Sequence, residues 1–442
     1  MNSKYFVRFF VVTFFCCAFS GFAVFSNDFI SVKEIDDKWW LTKAEKGPFV
    51  TLGINHVEPQ LMIGPHNIEN TYQIYGADFT YWHQQFNPHG SAAKSWLTEV
   101  KSNFTRWGFD AFGYHTPVPY DLIDDFHYIA LIRAAPVEVY CPNQVIPDVF
   151  SKTFHQQVDK AVAVVTKAHA NSPNLLGYAF SDVPFWHFDE KNKQNPWVTE
   201  ILSLGSQSAG KKTWIEVLKQ HYQGASEAGA TYGIEVSSWE ELLVVKDWSA
   251  NKIQEFAMRD REAFLLKIIE EWCKTHHDAV RKYDKHHLIL GDKLWEKTHS
   301  KAWEIIAKYY DVIYIQWYAD FETQKDLLIH IHEATGKPIL MGDSSFSVVK
   351  PYQDGAKGVK VASQDAVGDA YYDYLKSVMG LPFVVGWHYC GYMEGHRGMN
   401  SPDCCEDIQS GFLDPWGNPF EYTLQKVTEA NRLANQWHAN AR

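Results

Sequence analysis

The sequence predicts a single (β/α)8 barrel with inserted helices over its active-site face, and three observations carry that prediction. Eight short β-rich runs recur along the chain, separated by segments mostly long enough for a helix. Each run is apolar in its first half and polar or aromatic in its second. A barrel strand reads this way when its body is buried and its C-terminal end faces the mouth. No GxGxxG or GxxxxGK[ST] loop follows any run, which removes the main argument for a doubly wound nucleotide-binding sheet.

The first run spans 49–57 and ends in Asn55 and His56, with Glu58 just beyond. The second, 109–116, ends at His115, and the third covers 128–134. A helical stretch at 154–170 precedes the fourth run, 175–182, which ends in Ser181-Asp182. The segment 191–252 is long for one crossover and is expected to add helices over the mouth. A long helical region at 253–283 leads into the fifth run, 287–295, which ends in Asp292, Lys293 and Trp295. The sixth, 311–318, ends in Gln316, Trp317 and Tyr318, and the seventh, 337–346, carries Gly342-Asp343-Ser344. The eighth, 383–392, carries Trp387 and His388, with Glu394 after it. No repeat or low-complexity tract interrupts 27–442, so one barrel domain is expected there.

The composition narrows the partners. The formal charge is −12 over 442 residues, with no basic patch, which argues against nucleic acid and anionic lipid as partners. Aromatic residues reach 15%, including 17 Trp. Such a surplus suits stacking on the apolar faces of sugars as well as a ring-rich core. Lys4 and Arg8 precede an apolar run at 9–25 closed by Ser26, the pattern of a secretory signal peptide over 1–26. A secreted or periplasmic protein with no membrane association after cleavage is expected; an uncleaved anchor is the alternative. Beyond it stand Cys141, Cys273, Cys390, Cys404 and Cys405, an odd number that leaves at least one thiol free. Cys404 and Cys405 have the spacing to staple a loop, with Cys390 as one partner. No CxxC spacing suggests zinc, HxHE at 330–333 resembles a metal signature only loosely, and neither metal nor cofactor is expected.

Chemistry is expected at the strand ends. Asp182 on the fourth run and Asp343 on the seventh would face each other across the mouth, an arrangement suited to glycoside hydrolysis. One carboxyl protonates the leaving oxygen while the other attacks the anomeric carbon or activates water. A lone strand-end Asp more often caps a loop or helix, but two on opposite walls favour the catalytic reading. Asn55, His56, His115, Trp186, Asp292, Trp295, Gln316, Trp317, Trp387, His388 and Glu394 are candidate substrate contacts, with Trp317 and Trp387 as stacking platforms. Asp292, Asp320 and Glu394 are reserve carboxylates. Ser181, Ser344 and Ser345 are placed to tune the acids by hydrogen bonding.

The ordered motifs resemble glycoside hydrolase family 50, the β-agarase family. FVTLGIN at 49–55 is similar to that family's first strand, and Gly177-Tyr178 opens its fourth-strand motif. KKTWIEVLKQHY at 211–222, then Ser238-Trp239, is similar to the helices after strand four. YDKHHLILGDKLW at 283–295, GKPILMGDSSF at 336–346, VVGWHY at 384–389 and EDIQSGFLDPWGNPF at 406–420 follow in family order. The resemblance implies a (β/α)8 barrel of the retaining-glycosidase clan and a β-galactosidic substrate such as agarose. It also implies acids on strands four and seven. Here the chain departs from the pattern. Asp182-Val183 stands where the family has Asn-Glu, and Asp343 replaces the nucleophilic Glu. An Asp–Asp pair of altered reach, inverting as well as retaining, and a glycan-binding relative without catalysis are both open. Lys293, Lys350 and Arg397 are candidate sulfate contacts should the polysaccharide be sulfated.

Overall fold

The computed structural model describes residues 29–442 save 45, 58–63, 77–89, 117, 136, 140–143, 249–254, 354–357 and 397–409. The signal segment 1–26, Glu58, Arg397, Cys141, Cys404 and Cys405 lie outside the described residues.

A three-stranded antiparallel sheet opens the chain: β1 (Ser31–Ile35), β2 (Lys38–Lys43) and β3 (Gly47–Phe49). The eight expected runs then appear as parallel strands: β4 (Thr51–Asn55), β5 (Ala111–Phe112), β6 (His127–Leu131) and β7 (Leu175–Asp182). After the insertion come β8 (Ile289–Lys293), β9 (Ile313–Gln316), β10 (Ile339–Ser344) and, last, β13 (Val384–Cys390). The two short strands between, β11 (Phe346–Ser347) and β12 (Val359–Lys360), pair with each other in the loop after β10.

The hydrogen-bonded order β8-β7-β6-β5-β4-β13-β10-β9 is that of a barrel. Its seam closes between β8 and β9: the Leu294 N–H donates to the Tyr314 carbonyl at 2.8 Å and the Gln316 N–H to the Leu294 carbonyl at 2.6 Å. Closure removes both sheet edges.

Two apolar layers follow from strand alternation. Inside the barrel, Ala111, Tyr114, Ile129, Leu176, Ala179, Leu290, Tyr314, Leu340 and Val385 pack together. Ile30, Leu41 and Phe49 join the same cluster, so the N-terminal sheet, which was not anticipated, plugs the end of the barrel away from the mouth. Outside, a larger layer joins the strands to the surrounding helices, among them Lys152–His169, Glu255–Tyr283, Gln364–Val378 and Glu421–Ala439.

The 191–252 insertion forms four helices: Pro196–Ser203, Ala209–His221, Ala225–Thr231 and Trp239–Val244. They lean on Glu255–Tyr283 and on the segment following β7. Asn195 reaches back to the Phe185 and His187 carbonyls at 2.7 and 2.6 Å, and Trp197 stacks on Trp186 at 5.0 Å.

Candidate active site

Three strands are bulged next to their charged ends. Ala179 and Asp182 both face the barrel interior although three residues apart, an odd interval that a regular strand sends to opposite faces. The β7–β8 register slips between them: Ala179 pairs with Gly291 and Asp182 with Lys293. On β10, Leu340 faces in and so does Asp343, with the β9 register slipping between Met341 and Asp343. Lys293 likewise turns inward three residues after Leu290, past Gly291 at φ 69°. These irregularities re-aim side chains into the mouth, as bulges beside active sites do.

The result is a buried triad of charges. Lys293 Nζ lies 2.9 Å from Asp182 Oδ2 and 2.7 Å from Asp343 Oδ2, and its own side chain is fully buried. The two legs cap the separation of those oxygens at about 5.6 Å, within reach of the ~5–5.5 Å of retaining glycosidases and short of the ~6.5–9.5 Å of inverting ones. That bound is too small for the inverting arrangement only if these two carboxylates are themselves the acid and the base.

The electrostatics follow from the ammonium. Burial, the largest single influence, would raise both carboxyl pKa values, but Lys293 together with the neighbouring histidines and hydrogen bonds outweighs it, and Asp182 and Asp343 are held below the usual range. His115 adds to the effect at Asp182, with Nε2 3.0 Å from Oδ2, and His56 adds to it at Asp343. Lys293 in turn is pushed well above its ordinary value by the two carboxylates, against its burial, and sits over the Tyr114 ring at 4.6 Å.

Strained backbone surrounds the triad. His56, His115 and Val183 have φ of 53°, 57° and 53°. That region is costly for side chains with a Cβ, and most of all for a β-branched Val. Each is over-determined by its surroundings. The His56 N–H donates to the Tyr114 carbonyl, the His56 and His115 rings stack at 4.3 Å, and the Val183 N–H donates to the Lys293 carbonyl at 2.8 Å.

Several expected contacts are placed elsewhere. Trp387 points outward from β13, 1% exposed, against Tyr371 and Tyr374 at 4.6 Å, so it is core and not a platform. Its neighbour His388 points inward but one layer too deep, beside Gly53 and Gly113, where an added Cβ would collide with the ring or with Asn55. Asn55 is fully buried and spends its amide on structure, donating to the Gly342 carbonyl at 2.6 Å and accepting from the Tyr114 N–H at 2.8 Å.

Trp186 is sandwiched with Trp197 and Trp272, and Asp292 faces outward among Ser181, Trp272 and Tyr310, so neither lines the mouth. Ser181 therefore serves Asp292 and not Asp182, while Ser344 accepts from Trp387 Nε1 at 2.8 Å. Asp320 caps the helix Phe321–Thr335. Glu394 is buried and paired with Lys350 at 3.0 Å and Tyr352 at 2.5 Å, so the Lys350 ammonium is engaged by a carboxylate. Lys293 is equally committed, to the two carboxylates.

At the mouth remain Asp182, Asp343, His56, His115, Gln316 and the half-buried Trp295 and Trp317. Trp317 is tied to the site by its N–H, which donates to the Asp343 carbonyl at 3.1 Å. The sequence reading missed Glu138, a buried carboxylate in the loop after β6. It lies against the Asp182 backbone, and the loop is held there by the Val139 N–H donating to the Val183 carbonyl at 3.2 Å. Burial raises its pKa, aided by the Asp182 charge and opposed by Arg133 3.9 Å away. Glu138 lies beyond the third run, which ends at 134, and seven residues past the end of β6, so no strand-end pattern marks it.

No family model matches the chain. It is 23% identical over 374 residues to β-agarase B of Vibrio sp. (strain JT0107), covering 82% of this chain and 38% of that protein. The chain thus spans well under half the length of that curated relative. A solved exo-β-agarase superposes with a TM-score of 0.77 at 18% identity, over 93% of this chain and 66% of that one. The agarase AgWH50C gives 0.75 at 17% identity, over 93% and 65%. The resemblance carried by the ordered motifs is borne out in sequence and in fold, and the chain is a β-agarase-like (β/α)8 barrel.

Proposed function

We propose that the chain is an exported glycoside hydrolase that cleaves β-galactosidic bonds of an agar-type galactan with retention of configuration. Residues 27–442 would act as one domain on a polysaccharide or oligosaccharide, after removal of 1–26. No described helix is long and apolar enough to cross a membrane. The observation that carries the reading is the pair of carboxylates that the fourth and seventh barrel strands bring to Lys293. Retention follows from the nucleophilic role given to Asp343 and not from their spacing, because the proton donor is Glu138.

In this reading Asp343, kept ionised by Lys293, attacks the anomeric carbon; a nucleophilic carboxylate must be deprotonated at the working pH. Asp182 is also kept ionised, which suits stabilising a developing oxocarbenium charge and not donating a proton. The proton for the leaving oxygen comes instead from Glu138, whose raised pKa keeps more of it in the acid form. Trp317 and Trp295 offer ring faces to the sugar, and His56, His115 and Gln316 offer hydrogen bonds.

A second reading has one specific observation in its favour: the Lys293 ammonium stands between the carboxylates, where a sugar would enter. A glycan-binding relative without turnover would tolerate that wedge. Reducing-end release from agarose, porphyran, carrageenans and their oligosaccharides separates the two. Hydrolysis expects product with the wild-type chain and none with Asp343→Asn; binding without product from any substrate supports the second reading.

A further inference from the structure

We propose that His56, Asp343 and Cys390 form a binding site for a thiophilic divalent cation such as Zn2+ at the floor of the barrel mouth. One nitrogen of His56, one carboxylate oxygen of Asp343 and the Cys390 sulfur all lie within 4.8 Å of one another, and all three residues are buried. They stand at the ends of three adjacent strands, β4, β13 and β10, so the barrel backbone fixes their spacing. Cys390 pairs directly with Asn55, the residue before His56.

The donor set is the one zinc prefers: a thiolate, an imidazole and a carboxylate, with the fourth position open to water from the mouth. Zinc bonds of about 2.0–2.3 Å place tetrahedral ligand atoms roughly 3.5 Å apart, so ligand atoms up to 4.8 Å apart need to close by about 1.3 Å. Sequence spacing could not show this site, because its members are 287 and 47 residues apart in turn and meet only when the barrel closes.

A second observation points to a ligand. Asp343 is 2% exposed, and its Oδ1 makes no hydrogen bond of standard geometry although the Asn55 amide stands near the carboxyl, while Oδ2 is taken by Lys293. A buried carboxylate oxygen without a donor is costly and calls for an explanation. A cation bonded there supplies one. The surroundings orient the ligands as outer partners of metal sites do. His115 stacks on the His56 ring with planes 13° apart, and Asn55 anchors the end of β4 to the Gly342 carbonyl beside Asp343. Among the described residues Cys390 is in no disulfide, and its sulfur has the Tyr318 hydroxyl as a hydrogen-bond partner.

The charges facing the site are balanced in its favour. Lys293 repels a cation, but Asp182, Asp343 and the Cys390 thiolate formed on binding outnumber it. The bond to sulfur forms as the thiol proton leaves to solvent. A bound cation occupies the Asp343 carboxylate, so metal loading and the proposed hydrolysis exclude each other. Binding is read without turnover and stands or falls separately from the proposed activity.

The test is titration of the metal-stripped full chain with Co2+, followed in the near ultraviolet for sulfur-to-cobalt charge transfer and in the visible for tetrahedral ligand-field bands, then displacement by Zn2+. Saturation at one equivalent with both features is expected. Cys390→Ser should lose the near-ultraviolet band, and His56→Ala should weaken binding by more than about tenfold, since losing an outer partner alone costs that much. Silence of the wild-type chain at millimolar Co2+ would overturn the proposal. An unchanged spectrum in a Cys390→Ser protein that melts like wild type would do so equally.

Discussion

The ammonium of Lys293 lies 2.7 Å from the Asp343 carboxylate inside a closed barrel, and neither side chain has appreciable access to solvent. That contact favours the charged form of both groups against their burial, and the same ammonium draws in Asp182 at 2.9 Å. It is also where this chain departs most from a site that must hold one acid protonated.

Removing the nucleophilic carboxylate should abolish turnover. Asp343→Asn is expected to lower kcat by at least about a thousandfold, several kcal/mol in the barrier. Affinity for oligosaccharide should survive, as measured by calorimetry.

Removing the ammonium leaves two buried carboxylates facing each other. Lys293→Met should cost about 3–5 kcal/mol of stability, the usual penalty for breaking a buried pair by deleting one partner. One Asp must then take up a proton, so any residual activity should show its acidic limb moved to higher pH. An unchanged melting temperature would contradict the ion pairing.

The proton donor is tested by leaving-group dependence. Glu138→Gln should slow cleavage of natural oligosaccharides by roughly 10²–10⁴-fold. It should leave aryl galactosides with a strongly acidic phenol nearly unaffected, because such a leaving group needs no proton. Equal losses on both substrates would assign Glu138 a structural role.

The two tryptophans once grouped as platforms should now separate. Trp317→Ala is expected to raise KM with little change in melting temperature. Trp387→Ala, which empties a site bounded by Tyr371, Tyr374 and Tyr389, should cost about 3–5 kcal/mol of stability. Melting curves and steady-state kinetics of the pair decide this.

Stability should fall on mild acidification. His276 and His388 are fully buried, and burial lowers both to about 4 from 6.5. The unfolded chain takes up protons below pH 6.5 that the folded chain refuses until about pH 4. Stability is therefore whole above that window, declines through it and levels off below, by about 3 kcal/mol for each residue. Melting temperatures between pH 8 and 4 test the sign. A His388→Gln variant should flatten part of the slope.

The fold was legible because barrel strands announce themselves by composition. The fourth run, 175–182, coincides with β7, and the other runs overlap their strands, most loosely at 109–116, where only Ala111–Phe112 join the ladder. Those differences arise because polar strand ends leave the ladder before their composition changes. The N-terminal sheet escaped notice because 31–49 mixes charges with Trp39 and Trp40 and shows no clean alternation. At the site, the two acids on facing strands were legible, while the direction of each side chain was not. Bulges after Ala179 and Leu340 shift the two-residue period, and no residue type in either strand signals them. The same blindness misplaced Asp292 and Trp387, which sit one position from the inward-facing Lys293 and His388.

The most direct measurement is a proton NMR time course of neoagaro-oligosaccharide cleavage by the mature chain, with the anomer of the first product read before mutarotation. Product that appears first as the β anomer, and is absent with Asp343→Asn, is the expected result. First appearance of the α anomer, or no product from a folded chain that binds the oligosaccharide, would contradict a retaining hydrolase built on the Asp182–Lys293–Asp343 triad.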